Sequence, residues 1–273
     1  MPCISASSSR TELEGVFLVD DHSRTRRRGH SLRAVLLVGG AGTRLRPLTY
    51  VVPKCLLPVG GKPLLERTIR YLEGYGIREF VLCVAYLRKQ IIDTFKDGSA
   101  LGVGIQYAES DQPMGTAGQL KTASGLVDGP FLAMNGDIIT NMNISNLVET
   151  HRKTGGIATI ALKEFGVKIP YGHVVADKGG KVTAFEEKPT LSYMANAGVY
   201  VLEPMLLDSI PKGRVCSLET ETFPSLIARG ELINSYFEPA YWADVGSMAD
   251  FERVNNEALS DASVLVPSGE GSR

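Results

Sequence analysis

VLLVGGAGTRLRPLTYVVPKCLLP, residues 35–58, is the stretch on which the fold turns. A short apolar run, Val35 to Val38, reads as a buried strand, and it empties into a glycine loop carrying Arg44 and Arg46, with Lys54 just beyond. A phosphate group needs backbone N–H groups at close range, and glycine lets the main chain turn and approach that tightly. Gly39, Gly40 and Gly42 meet this need and Thr43 follows them. Arg44 offers a planar fork of donors, while Lys54 offers a compact charge on a flexible stem. The segment is a polyanion site able to hold a triphosphate. Two familiar phosphate loops do not fit. A P-loop closes on Gly-Lys-Ser or Gly-Lys-Thr, whereas Gly42 is followed by Thr43 and Arg44; the dinucleotide fingerprint requires glycine at 40, 42 and 45, and position 45 is Leu.

Outward from this loop, strand-like and helix-like segments alternate, the pattern of an α/β sheet. Leu64, Leu65, Thr68, Ile69 and Leu72 share a helical face, with Pro63 at the first helical position. FVLCVA, 80–85, is the next buried strand; Ile91, Ile92 and Phe95 mark a short helix; Val103, Ile105 and Tyr107 alternate as a strand. Ala117 to Leu126 reads as a helix, and FLAMNGD, 131–137, as an apolar strand ending on Asp137. Open α/β sheets bind ligands at strand ends, so Gly39, the segment after Ala85 and Asp137 are expected along a common edge. The second half alternates less regularly, with strands near 157–162, 173–176, 182–186, 196–202, 232–237 and 241–245 and helices near 204–210, 218–229 and 248–259. That texture suggests a mixed sheet with an added lobe.

At 273 residues the chain has room for one large domain, and a net charge of −1 gives no global attraction to nucleic acid or to a membrane surface. Residues 1–31, rich in Ser and Arg, are expected to form a disordered extension, and the acidic residues Glu12, Glu14, Asp20 and Asp21 argue against a transit peptide. Residues 32–260 are expected to form the catalytic domain and 261–273 a frayed tail. Four cysteines show no C-x-x-C pairing and suit a reducing, cytoplasmic setting. The four histidines show no metal spacing, no Ser-His-Asp or Cys-His arrangement stands out, and no hexapeptide repeat announces a C-terminal β-helix domain.

GGAGTRLRPLT followed by PK resembles the signature of the sugar-1-phosphate nucleotidyltransferases, which make nucleotide sugars from a nucleoside triphosphate and a sugar 1-phosphate; the likeness runs from about residue 33 to 259. The resemblance implies a three-layer Rossmann-like nucleotidyltransferase fold with a mixed, mostly parallel central sheet. It also implies a Mg²⁺ cofactor on Asp137 of NGD, 135–137, and Asp244 of WADVG, 242–246, since Mg²⁺ is usually held by one or two carboxylates plus substrate phosphates. In FEEKP, 185–189, the resemblance gives Lys188 to the sugar phosphate and Glu187 to sugar hydroxyls, with Tyr171, Gly172 and Asn196 lining the sugar pocket. An Asn at a strand end also commonly bonds its own backbone. Glu109 and the second glycine loop, with Gly115 and Thr116 opening a helix, are placed at the nucleobase. A carboxylate suits guanine, whose N1–H and N2 amino group both donate, although Gln112 close by would suit uracil or thymine. The expected reaction joins GTP to mannose 1-phosphate; glucose 1-phosphate with UTP or dTTP is the alternative, and a non-catalytic relative that binds nucleotide sugars is the alternative of another class. The expected partners are the two small-molecule substrates, with no nucleic acid and no membrane, and a homo-oligomer is left open. Cys55, where many relatives carry Pro, is either a redox-responsive thiol or a small buried hydrophobe.

Overall fold

The computed structural model describes residues 32–260. The expectations for 1–31 and 261–273 fall outside the described residues.

In chain order, β1 (Arg33–Leu37) leads through the glycine loop to a small hairpin of β2 (Pro58–Val59) and β3 (Lys62–Pro63), then α1 (Leu64–Gly74). Next come β4 (Glu79–Val84), α2 (Arg88–Phe95), β5 (Gly104–Glu109), α3 (Gly115–Thr122), β6 (Phe131–Asn135), β7 (Ile138–Thr140) and α4 (Ile144–Thr154). The second half holds β8 (Ala158–Lys168), β9 (His173–Ala176), β10 (Val182–Glu186), β11 (Thr190–Leu202), α5 (Phe223–Ala228), β12 (Ile233–Phe237), β13 (Trp242–Asp244) and α6 (Met248–Ser260).

A seven-stranded sheet runs in the order β12-β8-β11-β6-β1-β4-β5. β11 pairs antiparallel with both its neighbours, and the other pairs in the sheet are parallel. The sheet is therefore mixed and mostly parallel. From β1 the chain builds outward through β4 and β5, then returns to place β6 on the other side of β1. The loops after β1 and β6 consequently part in different directions and leave a crevice between them, the position where such sheets bind ligands.

Alternation along the strands supplies both cores. Ala34, Leu36 and Val38 with Phe80, Leu82 and Val84 face one apolar cluster, beneath α1, α2 and α4. Val35 and Leu37 with Val81 and Cys83 face the other, beneath α3 and α5. A strand buried on both faces reads as a continuous apolar run, which is why β1, β4 and β6 were legible without any period. A third cluster joins Val59, Leu64, Ile139, Ala243, Val245, Val254 and Ala258, packing α6 and β13 against the β7 segment.

Local boundaries differ from the sequence reading in five places. Pro63 is the extended residue before α1, at ψ 137°, rather than its first helical residue. The 117–126 helix stops at Thr122, and a separate 3₁₀ turn covers Ser124–Leu126. Residues 204–209 form a 3₁₀ helix, and the 218–229 helix begins as a π turn, Leu218–Thr222, because the Ser217 side chain accepts from the amides of Glu219 and Thr220. β8 and β11 run on beyond the core as an exposed two-stranded arm, pairing Lys163 with Ala195 and Lys168 with Thr190, and β9 and β10 form the hairpin between them.

Candidate active site

The glycine loop is shaped by its own polar bonds. Gly42 adopts a left-handed conformation, φ 58°, and its carbonyl accepts from Thr49 Oγ1 at 2.8 Å. Short 3₁₀ turns at Thr43–Leu45, Leu48–Tyr50 and Lys54–Leu56 follow, pinned by fully buried Leu45 and Thr49. Arg44 is left projecting, 70% exposed, while Lys54 is drawn inward to 13%. The Gly39 amide is already bonded, donating to Gln119 Oε1 at 2.9 Å, so Gln119 of α3 holds the end of β1 in place.

The carboxylates arrive from two distant segments. Beyond β6, the Gly136 amide donates to the Leu37 carbonyl at 3.0 Å, and a side chain at 136 would put its Cβ 2.3 Å from Val38 Cγ1. Only glycine allows that approach, and it carries Asp137 over the end of β1. β13 pairs with β7 so that Asp244 stands opposite Ile138, and the Val245 amide donates to the Asp137 carbonyl at 2.9 Å. Residues 137 and 244 thus become neighbours through a two-stranded ladder that no spacing in the sequence announces.

Lys54 sits between the two carboxylates. Its Nζ is 2.6 Å from Asp137 Oδ2 and 3.6 Å from Asp244 Oδ1, and Arg44 Nη2 is 3.8 Å from Asp244 Oδ2. Burial first, and the Asp137 charge second, raise the Asp244 carboxyl above its ordinary range. Asp244 Oδ1 is buried without a hydrogen-bond partner, as is Asn135 Oδ1 at the end of β6. An all-oxygen pair of carboxylates with one unsatisfied buried oxygen fits a hard divalent cation. Gly40, Gly42, Thr43, Arg44, Lys54 and Asp137 line one open cleft, together with Gly136 and Gly246. Cys55 also reaches this cleft but is 3% exposed, and burial pushes its thiol up to about 12. It is the small buried hydrophobe of the two readings, with negligible thiolate at neutral pH.

The residues assigned to base and sugar lie in two further groups. Glu109, the last residue of β5, faces Arg88, whose Nε is 3.2 Å from Oε2; Arg88 also donates to the Ser110 carbonyl at 2.8 Å. Gly115 has φ 72°, and a Cβ there would lie 2.4 Å from the Cys216 carbonyl oxygen, which accepts from the amides of Ala117 and Gly118. Those two amides at the start of α3 are given to Cys216. Thr116 Oγ1 donates to Glu219 Oε2 at 2.7 Å.

On the sugar-side hairpin, Gly172 lies against Phe185 and Glu187, Tyr171 is 75% exposed, and Lys188 stands 4.0 Å from Glu187 with a left-handed backbone, φ 50°. Such a backbone is uncommon for a non-glycine residue and sets the direction in which Cβ leaves the chain. Asn196 uses both ends of its amide within the protein: Oδ1 accepts from the Gly198 amide at 3.0 Å and Nδ2 donates to Tyr200 OH at 2.7 Å. Tyr200 OH in turn donates to Glu219 Oε1 at 3.3 Å, so Glu219 ties Thr116 to Asn196. Gln119 and Glu219 were missed in the sequence. A polar residue on the apolar face of α3 could have flagged Gln119; nothing in the sequence flagged Glu219.

The profile described as nucleotidyl transferase matches residues 33–261. The chain is 38% identical over 230 residues to a mannose-1-phosphate guanylyltransferase from Mycobacterium tuberculosis, an alignment covering 82% of this chain and 64% of the relative. It is 33% identical over 250 residues to a UTP--glucose-1-phosphate uridylyltransferase from Synechocystis sp., covering 84% of this chain and 64% of that one. This chain therefore spans just under two thirds of each relative's length. In fold, it superposes on HddC from Yersinia pseudotuberculosis, crystallised with GMP-PN, at a TM-score of 0.67 and 24% identity, covering 83% of this chain and 99% of that one.

Proposed function

The chain belongs to the nucleotidyl transferase family, and from that premise we propose that it joins a nucleoside triphosphate to a sugar 1-phosphate, releasing pyrophosphate. The observation that carries this reading is the cleft in which Lys54 lies 2.6 Å from Asp137 and 3.6 Å from Asp244, with Arg44 at its mouth, at the crevice beside β1. An oxygen of the sugar phosphate attacks the α-phosphorus, the bond from that phosphorus to the oxygen bridging to the β-phosphate breaks, and pyrophosphate leaves. No general base is required, because a phosphate monoester has its second pKa near ~6 and is largely dianionic at neutral pH. The barrier is repulsion between two polyanions, so the protein's work is charge neutralisation and alignment. Arg44 and Lys54 neutralise the triphosphate, and Lys188 positions the incoming phosphate. Asp137 and Asp244 would hold Mg²⁺, which when bound supplies further stabilisation of charge on the phosphates.

GTP with mannose 1-phosphate is the preferred pair. Glu109 at the end of β5 offers a carboxylate to the donor edge of guanine, and a relative 38% identical carries the name mannose-1-phosphate guanylyltransferase. Glucose 1-phosphate with UTP is the second reading, favoured by the Synechocystis relative. A non-catalytic role is disfavoured because Arg44, Lys54, Asp137, Lys188 and Asp244 are all kept. Among the described residues no helix is long and apolar enough to cross a membrane. Pyrophosphate release measured for each of four or five nucleoside triphosphates against several hexose 1-phosphates, with Mg²⁺, tests the reading. Release in the GTP and mannose 1-phosphate cell above all others is expected; no release in any cell overturns the enzyme.

A further inference from the structure

Lys54 is placed to serve the triphosphate as a cation, yet its ammonium points at the carboxylates. Nζ makes a 2.6 Å hydrogen bond to Asp137 Oδ2 and stands 3.6 Å from Asp244 Oδ1, too far to bond it. One ammonium thus holds two like charges together without satisfying both, and the oxygen left without a hydrogen bond is Asp244 Oδ1. The stem is anchored: Lys54 begins a 3₁₀ turn and its Cβ lies within 3.2 Å of where a Cβ on Gly42 would be. The four-carbon chain beyond Cβ is the flexible part, so the head can swing while the turn stays put. Asp137 and Asp244 are about one-third exposed, and Asp137 lines the cleft.

A Mg²⁺ ion ligated by these oxygens would sit at ~2.0–2.1 Å from each. An ammonium 2.6 Å from one of the same oxygens would then face a like-signed, doubly charged neighbour at close range. We propose that Lys54 and the divalent cation compete for the same two carboxylates, so that entry of the ion expels the ammonium from Asp137 toward the triphosphate. The glycine loop places Lys54 to make that swing, since Gly42, Thr43 and Arg44 line the same cleft. The lysine is therefore a positioning cation in one state and a phosphate ligand in the other, and its delivery to the nucleotide is conditional on the metal. This inference rests on the assignment of Asp137 and Asp244 as metal ligands.

Two readouts test it without turnover. Mn²⁺ binding, followed by electron paramagnetic resonance on the full chain in the absence of nucleotide and sugar, is compared among the wild type, Lys54→Met, Lys54→Arg and Asp137→Asn. Lys54→Met is expected to bind Mn²⁺ at least ~tenfold more tightly than wild type, because the competing cation is gone, while Lys54→Arg stays close to wild type. In the unaltered chain, acylation of Lys54 by an amine-reactive ester, quantified by mass spectrometry, is expected to rise severalfold on adding Mg²⁺; this arm needs no variant to fold. Equal Mn²⁺ affinity in wild type and Lys54→Met, with Lys54 acylation unchanged by Mg²⁺, overturns the exchange and leaves the metal assignment standing. Mn²⁺ binding that Asp137→Asn does not weaken overturns the metal assignment itself, and the exchange with it.

Discussion

Asp137 and Asp244 differ in surroundings although they share a cation. Asp137 is hydrogen-bonded by Lys54, whereas Asp244 carries a buried, unbonded oxygen and a carboxyl whose affinity for its proton is raised by burial and by Asp137. A group whose folded value is raised contributes stability below its unfolded pKa and loses it as the pH rises through the folded value. At neutral pH the ionised Asp244 is therefore a cost to the fold. Asp244→Asn is expected to raise the melting temperature at pH 7 in chelator, to lose that advantage as the pH falls into the carboxylate range, and to abolish turnover; scanning calorimetry across pH checks the first two. Asp137→Asn is expected to lower kcat by roughly 10²-fold or more, on the scale of losing one preorganised charge stabiliser, with circular dichroism unchanged. Full activity in that variant sinks the assignment of Asp137.

At the scale of elements, the site depends on how closely two backbones approach. Gly136 crosses the end of β1 where an added methyl group would meet Val38 Cγ1 at 2.3 Å and the Leu37 carbonyl at 2.9 Å. Neither neighbour can step aside, because both are buried in the cores on either side of the sheet. Gly136→Ala is expected to destabilise by ~1–3 kcal/mol through overpacking and to lower kcat, since Asp137 moves with the backbone; urea denaturation and steady-state kinetics measure the pair. Leu36, fully buried in the middle of β1, has no role in the site, and Leu36→Ala is expected to cost ~2–5 kcal/mol with kcat preserved below the unfolding transition. The contrast separates an element that supplies stability from a turn that supplies geometry.

Across the described residues, stability is unevenly spread. The sheet is buried between two apolar clusters, while every residue of β9 and β10 is exposed. An isolated two-stranded pair is marginal in water, so this hairpin opens at the lowest cost. Within residues 32–260, brief tryptic digestion is expected to cut first at Lys178 or Lys181, in the turn joining the two strands, and mass spectrometry of the fragments shows it. Initial cleavage within 64–74 or 115–122 would contradict this ordering.

The α/β class and the elements from β1 to β6 could be read directly, because strands buried on both faces leave uninterrupted apolar runs and helices leave their own period. The glycine loop was legible for a local reason as well: its glycines and cations fall within twenty residues of one another and need no pairing with distant segments to be noticed. The exposed arm formed by the ends of β8 and β11 was not, since strands without a buried face carry no burial pattern. Nor could local reading assign the first amides of α3, because their acceptor, Cys216, lies about a hundred residues away. The sequence by itself determined the class of fold, the loop and, through its motifs, the family. Only the tertiary structure decided that Lys54 lies between Asp137 and Asp244. Three charges so far apart along the chain meet through the β7–β13 ladder and the crossing at Gly136, and distances made by backbone pairing are not written in residue spacing.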